Sequence, residues 1–326
     1  MLVVGPNGAG KTNLLEALHV ATQGFSPRTR TDAQMIRFGA EASRIALRGD
    51  RAGAPIEAEV LLRVADAKRA KLNGASLRAA EQLRSELATL VFTPDRLAVV
   101  KGGPAVRRAY FDRALGRLFP ARALLPAEYA AAVGQRNAAL RRVSFGASSR
   151  GALEPWTQRV AELGASLVTA RRETVAELGP AFADRAIELG LEGAELRYEG
   201  EPTSVEALVA RIEGDLERGT TGLGPHLDDF DLLAEGRELR RFGSQGEQRL
   251  AVLALILGEA ELLTARGAPP PLLLLDDVLS ELDDRRRSIL AERIGASGQA
   301  LVTSISASAL PSEPAQLVQV MPGSAT

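Results

Sequence analysis

The chain has 326 residues, 45% hydrophobic and 25% charged, with a formal net charge of -1, a profile ordinary for a soluble globular protein with room for one large or two medium domains. The absence of cysteine excludes disulfides, thiol catalysis and Cys-ligated zinc, and two histidines, His19 and His226, give no basis for a His-rich metal site. No apolar run approaches the roughly 18 residues needed to span a bilayer and no secretory leader pattern opens the chain. The expectation is therefore a cytoplasmic protein without membrane contact, and with so little net charge any nucleic-acid contact must come from a local basic patch.

Leu2-Val3-Val4 reads as the end of a buried strand. It runs into Gly5-Pro6-Asn7-Gly8-Ala9-Gly10-Lys11-Thr12, which fits the phosphate-binding pattern G-x-x-x-x-G-K-[ST]. Asn13 to Thr22 reads as the helix that must follow, with Leu14, Leu15 and Leu18 on one face. The glycines allow successive N–H groups to turn inward as an anion nest, and the helix N-terminus adds its positive dipole end. Lys11 is expected to reach the β- and γ-phosphates, and the Thr12 hydroxyl to ligate Mg²⁺.

Residues 24–40 read as a basic loop with Arg28, Arg30 and Arg37. Alternation over Ile45–Leu47 and Ile56–Val64 predicts strands. Asn73-Gly74 predicts a tight hairpin. A short helix near Glu81–Glu86 precedes a strand at Leu90–Phe92. From Thr93-Pro94 to about residue 189 the pattern is helical. Pro104 stands at a first helical turn, with Val106, Tyr110, Phe111, Leu115 and Leu118 at helical spacing. Pro126 opens a second helix to about Val143. A third spans about Glu154–Leu178, roughly 40 Å at 1.5 Å per residue, and is expected to break or kink at Gly179-Pro180. Its stripe of Trp156, Val160, Leu163, Leu167 and Ala170 suits either a partner surface or, the reading favoured, a seam inside a compact helical lobe. A strand at Glu195–Tyr198, a helix over Val205–Arg218, a turn cluster at Gly222–His226 and a hairpin about Glu235-Gly236 complete the middle of the chain.

Two further stretches carry chemistry. Ser244-Gln245-Gly246-Glu247 precedes an apolar helix from Leu250 to Leu263. Such a helix start presents a hydroxyl and unpaired N–H groups to an anion, although a plain helix cap has the same appearance. Leu272–Leu275 ends in Asp276-Asp277. Four leucines suit a strand buried on both faces of a parallel sheet, and the acids fall at its C-terminal end, where α/β sites are built. Asp276 is expected to hold Mg²⁺ beside Thr12, and Asp277 to orient or deprotonate the attacking water.

P-loop, Ser-x-Gly helix and an acidic strand end, in that order, make the arrangement of ABC-type ATPases, and the run Gly5–Leu18 is typical of their SMC-like branch. Further segments resemble the RecF family of DNA repair proteins: Ile36-Arg37-Phe38-Gly39-Ala40-Glu41-Ala42, Val91-Phe92-Thr93-Pro94-Asp95, Val100–Pro104 with Arg107-Arg108, Gln135-Arg136-Asn137, Gly224-Pro225-His226 with Asp228-Asp229, Gly243–Arg249 and Leu275–Asp283. The resemblance implies an α/β fold, an ABC/SMC-like ATPase head (1–95 and 190–326) with an inserted helical lobe (96–189). It implies ATP and Mg²⁺ as cofactors, held by Gly5, Pro6, Asn7, Gly8, Ala9, Gly10, Lys11, Thr12 and Asn13. Ser244, Gln245, Gly246 and Glu247 of a second chain would complete the site, with Lys11 and Asp277 as the catalytic residues and Thr12 and Asp276 as the metal ligands. Ser280-Glu281-Leu282-Asp283 fits that class's dimer-contact loop.

It further implies an ATP-dependent homodimer with weak DNA-dependent ATPase activity, acting in DNA replication, repair and the SOS response. The dimer would bind gapped DNA or single-strand/double-strand junctions and help load recombinase with RecO- and RecR-like partners. Arg28, Arg30, Arg37, Lys68, Arg69, Lys71, Arg107 and Arg108 are the candidate DNA contacts. An ATP-gated protein scaffold without DNA binding, a P-loop small-molecule kinase and an inactive truncated paralogue are the alternatives. The sequence departs from the family pattern at three places. The chain begins inside the P-loop strand, where the family has a further stretch, so an incomplete N-terminal half-sheet is expected. Leu227 follows Gly-Pro-His where a basic residue is expected. Thr303-Ser304-Ile305-Ser306 replaces a Thr-rich stretch ending in Asp. No histidine follows Asp277, and His226 is expected to be structural.

Overall fold

The computed structural model describes residues 1–29, 31–51, 53–64, 66–296 and 298–325. In chain order, β1 (Leu2–Val4) leads into α1 (Lys11–Gln23), followed by strands β2 (Ala42–Arg51), β3 (Ala54–Arg63), β4 (Arg69–Leu72), β5 (Ala75–Ser76) and β6 (Thr89–Phe92). Helices α2 (Ala98–Lys101), α3 (Pro104–Leu118), α4 (Leu125–Ser144) and α5 (Glu154–Glu188) come next. They lead to β7 (Glu195–Tyr198), α6 (Val205–Ala210), α7 (Ile212–Arg218), β8 (Phe230–Ala234), β9 (Arg237–Glu238), α8 (Leu239–Phe242) and α9 (Gln245–Ala265). The chain ends through β10 (Leu272–Leu275), α10 (Asp284–Ala296), β11 (Ala300–Ser304), β12 (Leu317–Met321) and β13 (Ser324–Ala325).

Two compact units result, one of residues 1–97 with 252–326 and one of 98–251, so their boundary falls within α9. Residues 190–251, expected with the ATPase head, thus group with the helices. The reason is local pairing: β7 pairs β8 in antiparallel register, and Phe230 of β8 stacks on Phe111 of α3 at 4.2 Å between ring centroids.

The first unit is built on a sheet of order β13-β12-β1-β11-β10-β6. It is parallel except where β13 turns back along β12. Leu273, Leu274 and Leu275 are fully buried, as are Leu2 and Val3. That accounts for the unbroken apolar runs, since a parallel sheet is covered on both faces. The P-loop strand β1 lies between β11 and β12. A second, antiparallel sheet of order β2-β3-β4-β5 packs its inner face, Ala58, Val60, Leu62 and Ala70, with Val20 of α1. Its β4–β5 turn is the expected Asn73-Gly74 hairpin, with φ of 48° and 82°, the left-handed pair that a two-residue turn of this kind requires.

In the second unit, Tyr129, Ala132 and Val133 of α4 pack with Val160, Leu163, Leu167 and Ala170 of α5 and Leu115 of α3. The apolar stripe of α5 is therefore an internal seam, with Trp156 half-buried at one end and Val106 of α3 exposed. α5 does not stop at Gly179-Pro180 but continues to Glu188. Pro180 and Ala176, whose carbonyl loses its N–H partner there, are both exposed, which leaves that carbonyl accessible to water. Leu178, Phe182 and Ala186 are fully buried and carry the helix on through the site. The expected helix over 205–218 is interrupted at Arg211, giving α6 and α7.

Candidate nucleotide-binding site

The loop after β1 is shaped by its glycines. Gly8 and Gly10 have φ of 80° and 108°, a region that side chains with a Cβ avoid. At Gly5 a Cβ would stand 2.3 Å from the Val320 carbonyl oxygen, so β12 presses directly on the loop. Pro6, Asn7 and Gly8 are exposed, as is Asn13, while Ala9 and Lys11 are buried. Helix α1 starts at Lys11, two residues earlier than its apolar pattern indicates, with no side chain capping its N-terminus and no acid in its first turn. Its first N–H groups are thus open to an anion, and the dipole favours one. The Lys11 ammonium lies over the loop, donating to Gly5 O at 2.7 Å and Pro6 O at 3.0 Å. Two of its three donors are used there, which leaves one for a phosphate oxygen.

Asp276 follows β10 and is held in line by its N–H bond to Phe92 O at 2.9 Å. The Thr12 hydroxyl lies 3.2 Å from Oδ1 and 3.0 Å from Oδ2 of this carboxylate. One hydroxyl and one carboxylate, converging beside a phosphate cradle, are hard oxygen donors of the kind Mg²⁺ takes when substrate phosphates and waters fill the rest of its octahedron. The residues present therefore fit the metal. Asp277 is held in the left-handed region, φ 49°. Its N–H donates to the Thr303 hydroxyl at 2.9 Å, and that hydroxyl donates to Asp276 Oδ1 at 2.7 Å. Thr303, fully buried on β11, was not singled out from the sequence as a site residue. Its signal is position: it lies beside Val3 in the sheet register, at the edge where both acids stand.

Ser244 and Glu247 form a reciprocal cap at the start of α9. Glu247 N–H donates to Ser244 Oγ at 3.2 Å, and Ser244 N–H to Glu247 Oε2 at 2.7 Å. That bond to the backbone N–H, first among its causes, holds the Glu247 carboxyl below its usual range. Within one chain this segment is a capping box, with Ser244, Gln245 and Gly246 exposed. In the loop after Asp277, Asp283 Oδ1 accepts from Arg286 N–H at 2.9 Å and starts α10.

Three further family-like segments, Val100–Arg108, Gln135–Asn137 and Gly224–Asp229, lie in the second unit. Arg107 forms a bidentate pair with Asp229 at 2.7 and 2.6 Å and donates to the Gly102 carbonyl. Arg108 reaches Asp228 O at 2.6 Å, and Tyr198 OH donates to Asp228 Oδ2. Arg136 and Asp215, both fully buried, pair at 2.8 Å, with Thr221 donating to Asn137. The expectation that Arg107 contacts DNA is overturned: its side chain is 3% exposed and turned to the internal acceptors Asp229, Val100 O and Gly102 O. His226 is structural, as expected. Its Nε2–H must donate to Thr221 O, because a carbonyl only accepts, so Nδ1 accepts from Tyr129 OH at 2.8 Å. Burial holds its pKa below the usual value and so favours the neutral ring. Of the remaining basic candidates, Arg28 faces Glu16 and Lys68 faces Asp32, Arg37, Arg69 and Lys71 are exposed, and Arg30 lies outside the described residues.

The family model that describes the RecF/RecN/SMC N-terminal domain matches residues 1–324. The Smc head domain of Pyrococcus furiosus superposes with a TM-score of 0.56 over 98% of this chain and 87% of that one, at 16% identity. Together with the parallel sheet and the P-loop, this defines an ABC/SMC-like P-loop ATPase. Within that class the chain belongs to the RecF family of DNA replication and repair proteins. It is 38% identical to the DNA replication and repair protein RecF of Acidothermus cellulolyticus over 92% of this chain and 86% of that protein. It is 35% identical to the protein of the same name from Heliobacterium modesticaldum, over 93% and 85%. A solved structure of the recombination mediator protein RecF with ATP, described as part of the RecFOR pathway, superposes with a TM-score of 0.88 at 28% identity, covering 100% of this chain and 90% of that one.

Proposed function

We propose that this chain is an ATP-dependent DNA-binding protein of recombinational repair. Two copies join around ATP, close on gapped duplex or single-strand/double-strand junctions, and help load recombinase together with RecO- and RecR-like partners. The observation that carries the reading is the approach of Thr12 to Asp276, 3.0 Å to Oδ2, beneath an uncapped helix N-terminus with Lys11 over the loop. Gly5 to Asn13 wrap the phosphates, with the free N–H groups at the start of α1 turned to them, Lys11 adds a positive charge, and Thr12 and Asp276 would hold Mg²⁺. The metal, when bound, neutralises charge developing on the transferred phosphoryl group. Asp277 orients the attacking water and accepts its proton. Ser244, Gln245, Gly246 and Glu247 serve the nucleotide of a second copy, so the site is complete only in a dimer and hydrolysis is slow.

The DNA reading is supported by the outer face of the β2–β3–β4 sheet. In register across the strands, Arg44 and Arg69 flank Leu61, while Lys71 and Ala46 flank Glu59. With Arg48 and Arg63, this face carries five cations against the carboxylates Asp50, Glu57 and Glu59, with Arg44 paired to Glu59, Arg48 to Glu57 and Arg63 to Asp66. Such a face suits a phosphate backbone. It adds Arg44, Arg48 and Arg63 to the basic candidates.

The test is fluorescence anisotropy with labelled gapped duplex, with and without ATP and Mg²⁺, alongside light scattering of the protein alone. Binding that strengthens with ATP and a mass that doubles are expected. A mass indifferent to ATP defeats the dimer mechanism, and ATP binding without any DNA binding points to a protein scaffold.

A further inference from the structure

We propose that Thr303 is a positioning residue of the ATPase site: its hydroxyl sets the orientation of both Asp276 and Asp277. The inference rests on the ATP-binding reading above. The Thr303 hydroxyl has one proton, and it goes to Asp276 Oδ1 at 2.7 Å. Its oxygen accepts the Asp277 N–H at 2.9 Å. Both roles of the hydroxyl are used, on adjacent residues, by a side chain that is fully buried.

The two bonds have different consequences. A carboxylate on a two-torsion side chain is free to rotate unless one oxygen is fixed. With Oδ1 tied to Thr303, rotation of Asp276 is arrested with Oδ2 directed to Thr12, at 3.0 Å. When Thr12 turns its lone pair to a cation, Asp276 Oδ2 is already beside it, and Oδ1 remains partnered. The second bond acts on the backbone. Asp277 lies at φ 49° and ψ 30°, a region that costs a non-glycine residue about 1 kcal/mol or more. It has to be held there. The Thr303 hydroxyl holds it from the amide side, and Ser280 Oγ, donating to Asp277 O at 2.9 Å, holds it from the carbonyl side. That conformation is what turns the chain after β10, so the two neighbouring carboxylates serve separate tasks.

Among the described residues the pocket edge supplies no substitute. There Asp276 Oδ1 otherwise meets the Thr12 hydroxyl, at 3.2 Å, a group needed at the metal. Thr303 is placed by β11, which pairs β1 on one side and β10 on the other, so the hydroxyl rides on the same rigid sheet as the P-loop strand and the acidic strand end. A side chain so placed acts through others and touches neither phosphate nor metal.

The experiment compares T303V, which keeps shape and removes both bonds, with T303S, which keeps the hydroxyl. A fluorescent ATP analogue is titrated without metal and at a series of Mg²⁺ concentrations, and unfolding is followed by circular dichroism. Partners of metal ligands typically contribute about 10- to 100-fold to metal affinity. T303V should accordingly need about 10-fold more Mg²⁺ for half-maximal enhancement of analogue binding, with metal-free binding unchanged. T303S should behave as the parent chain. In turnover, kcat should fall in T303V while KM for ATP at saturating Mg²⁺ stays. An unchanged Mg²⁺ requirement overturns the proposal. So does an equal loss of metal-free and metal-dependent binding, or a T303V chain that no longer folds, either of which would assign the hydroxyl to the fold alone. Failure of the parent chain to bind the analogue at all is a different result: it removes the ATP reading itself.

Discussion

Thr12 and Asp276 stand 264 positions apart in the chain, yet the hydroxyl of one lies 3.0 Å from the carboxylate of the other. The contact comes from sheet order: β1 and β10 are separated by β11 alone, so their C-terminal ends open on the same edge. It links the loop that takes the phosphates to the strand that takes the metal, and most of the expected behaviour follows from it.

Removing the charge of Lys11 or of Asp276 should separate nucleotide binding from folding. Charge-assisted hydrogen bonds are worth about 1.5–3 kcal/mol each, so K11A should weaken ATP binding by roughly 10- to 100-fold, and D276N should weaken it only when Mg²⁺ is present. Isothermal titration with and without chelator reads both. A D276N chain that loses metal-free binding equally would place Asp276 outside the metal site.

Ser244 offers a distinction between a local and a shared role. As the cap of α9 it accepts from Glu247 N–H, and S244A should cost about 1 kcal/mol of stability. S244R should leave ATP binding by a single chain intact and abolish the ATP-dependent rise in mass seen by light scattering. Dimers that persist in S244R exclude this segment from the shared nucleotide site.

His226 predicts a pH dependence whose sign is set by burial. Its pKa is lowered in the folded protein, so between the folded value and the unfolded value of about 6.5 the unfolded chain binds more protons. The stability that neutral His226 contributes is present above about pH 6.5 and is lost as pH falls through the folded pKa. Urea midpoints at pH 7.5 and 5.5 should therefore diverge more in the parent chain than in H226Q. Equal divergence in both would assign the effect elsewhere.

Arg107 and the outer sheet face should part company in DNA binding. R107A leaves Asp229 without its partner and should lower stability by about 3 kcal/mol, the smaller end for a broken buried pair because Asp229 is partly exposed. Its salt slope for DNA binding should not move. The double charge reversal R69E/K71E should leave stability nearly unchanged and reduce the slope of log affinity against log salt by about 1 for each phosphate no longer neutralised. Anisotropy across a salt series decides, and an unaltered slope in R69E/K71E removes this face from the interface.

Much of this architecture is legible in the residues because it is local. Gly5–Thr12 carries its own conformational requirement, Leu272–Leu275 reports burial on both faces, Asn73-Gly74 forces its turn, and Pro104 and Pro126 mark helix starts. What local patterns missed, tertiary packing reversed. Gly179-Pro180 reads as a break or a kink, but Phe182 and Ala186 are buried strongly enough to carry α5 past it without a break. Arg107 reads as a surface cation near a Gly-Pro turn. Its fate was decided by Asp229, a residue that is adjacent only once β8 packs on α3.

The phosphate loop, the acidic strand end and the order of the three motifs are written in the residues alone, since each depends on spacing along the chain and on the side chains' own chemistry. Which hydroxyls serve those acids was settled only by folding. Thr303 has no motif of its own, because a threonine in a buried strand has the same local pattern whether it meets a carboxylate or a leucine. Sheet order places it beside Asp276 and Asp277, and in a dry, rigid sheet a single hydroxyl fixes two residues that water would otherwise leave free.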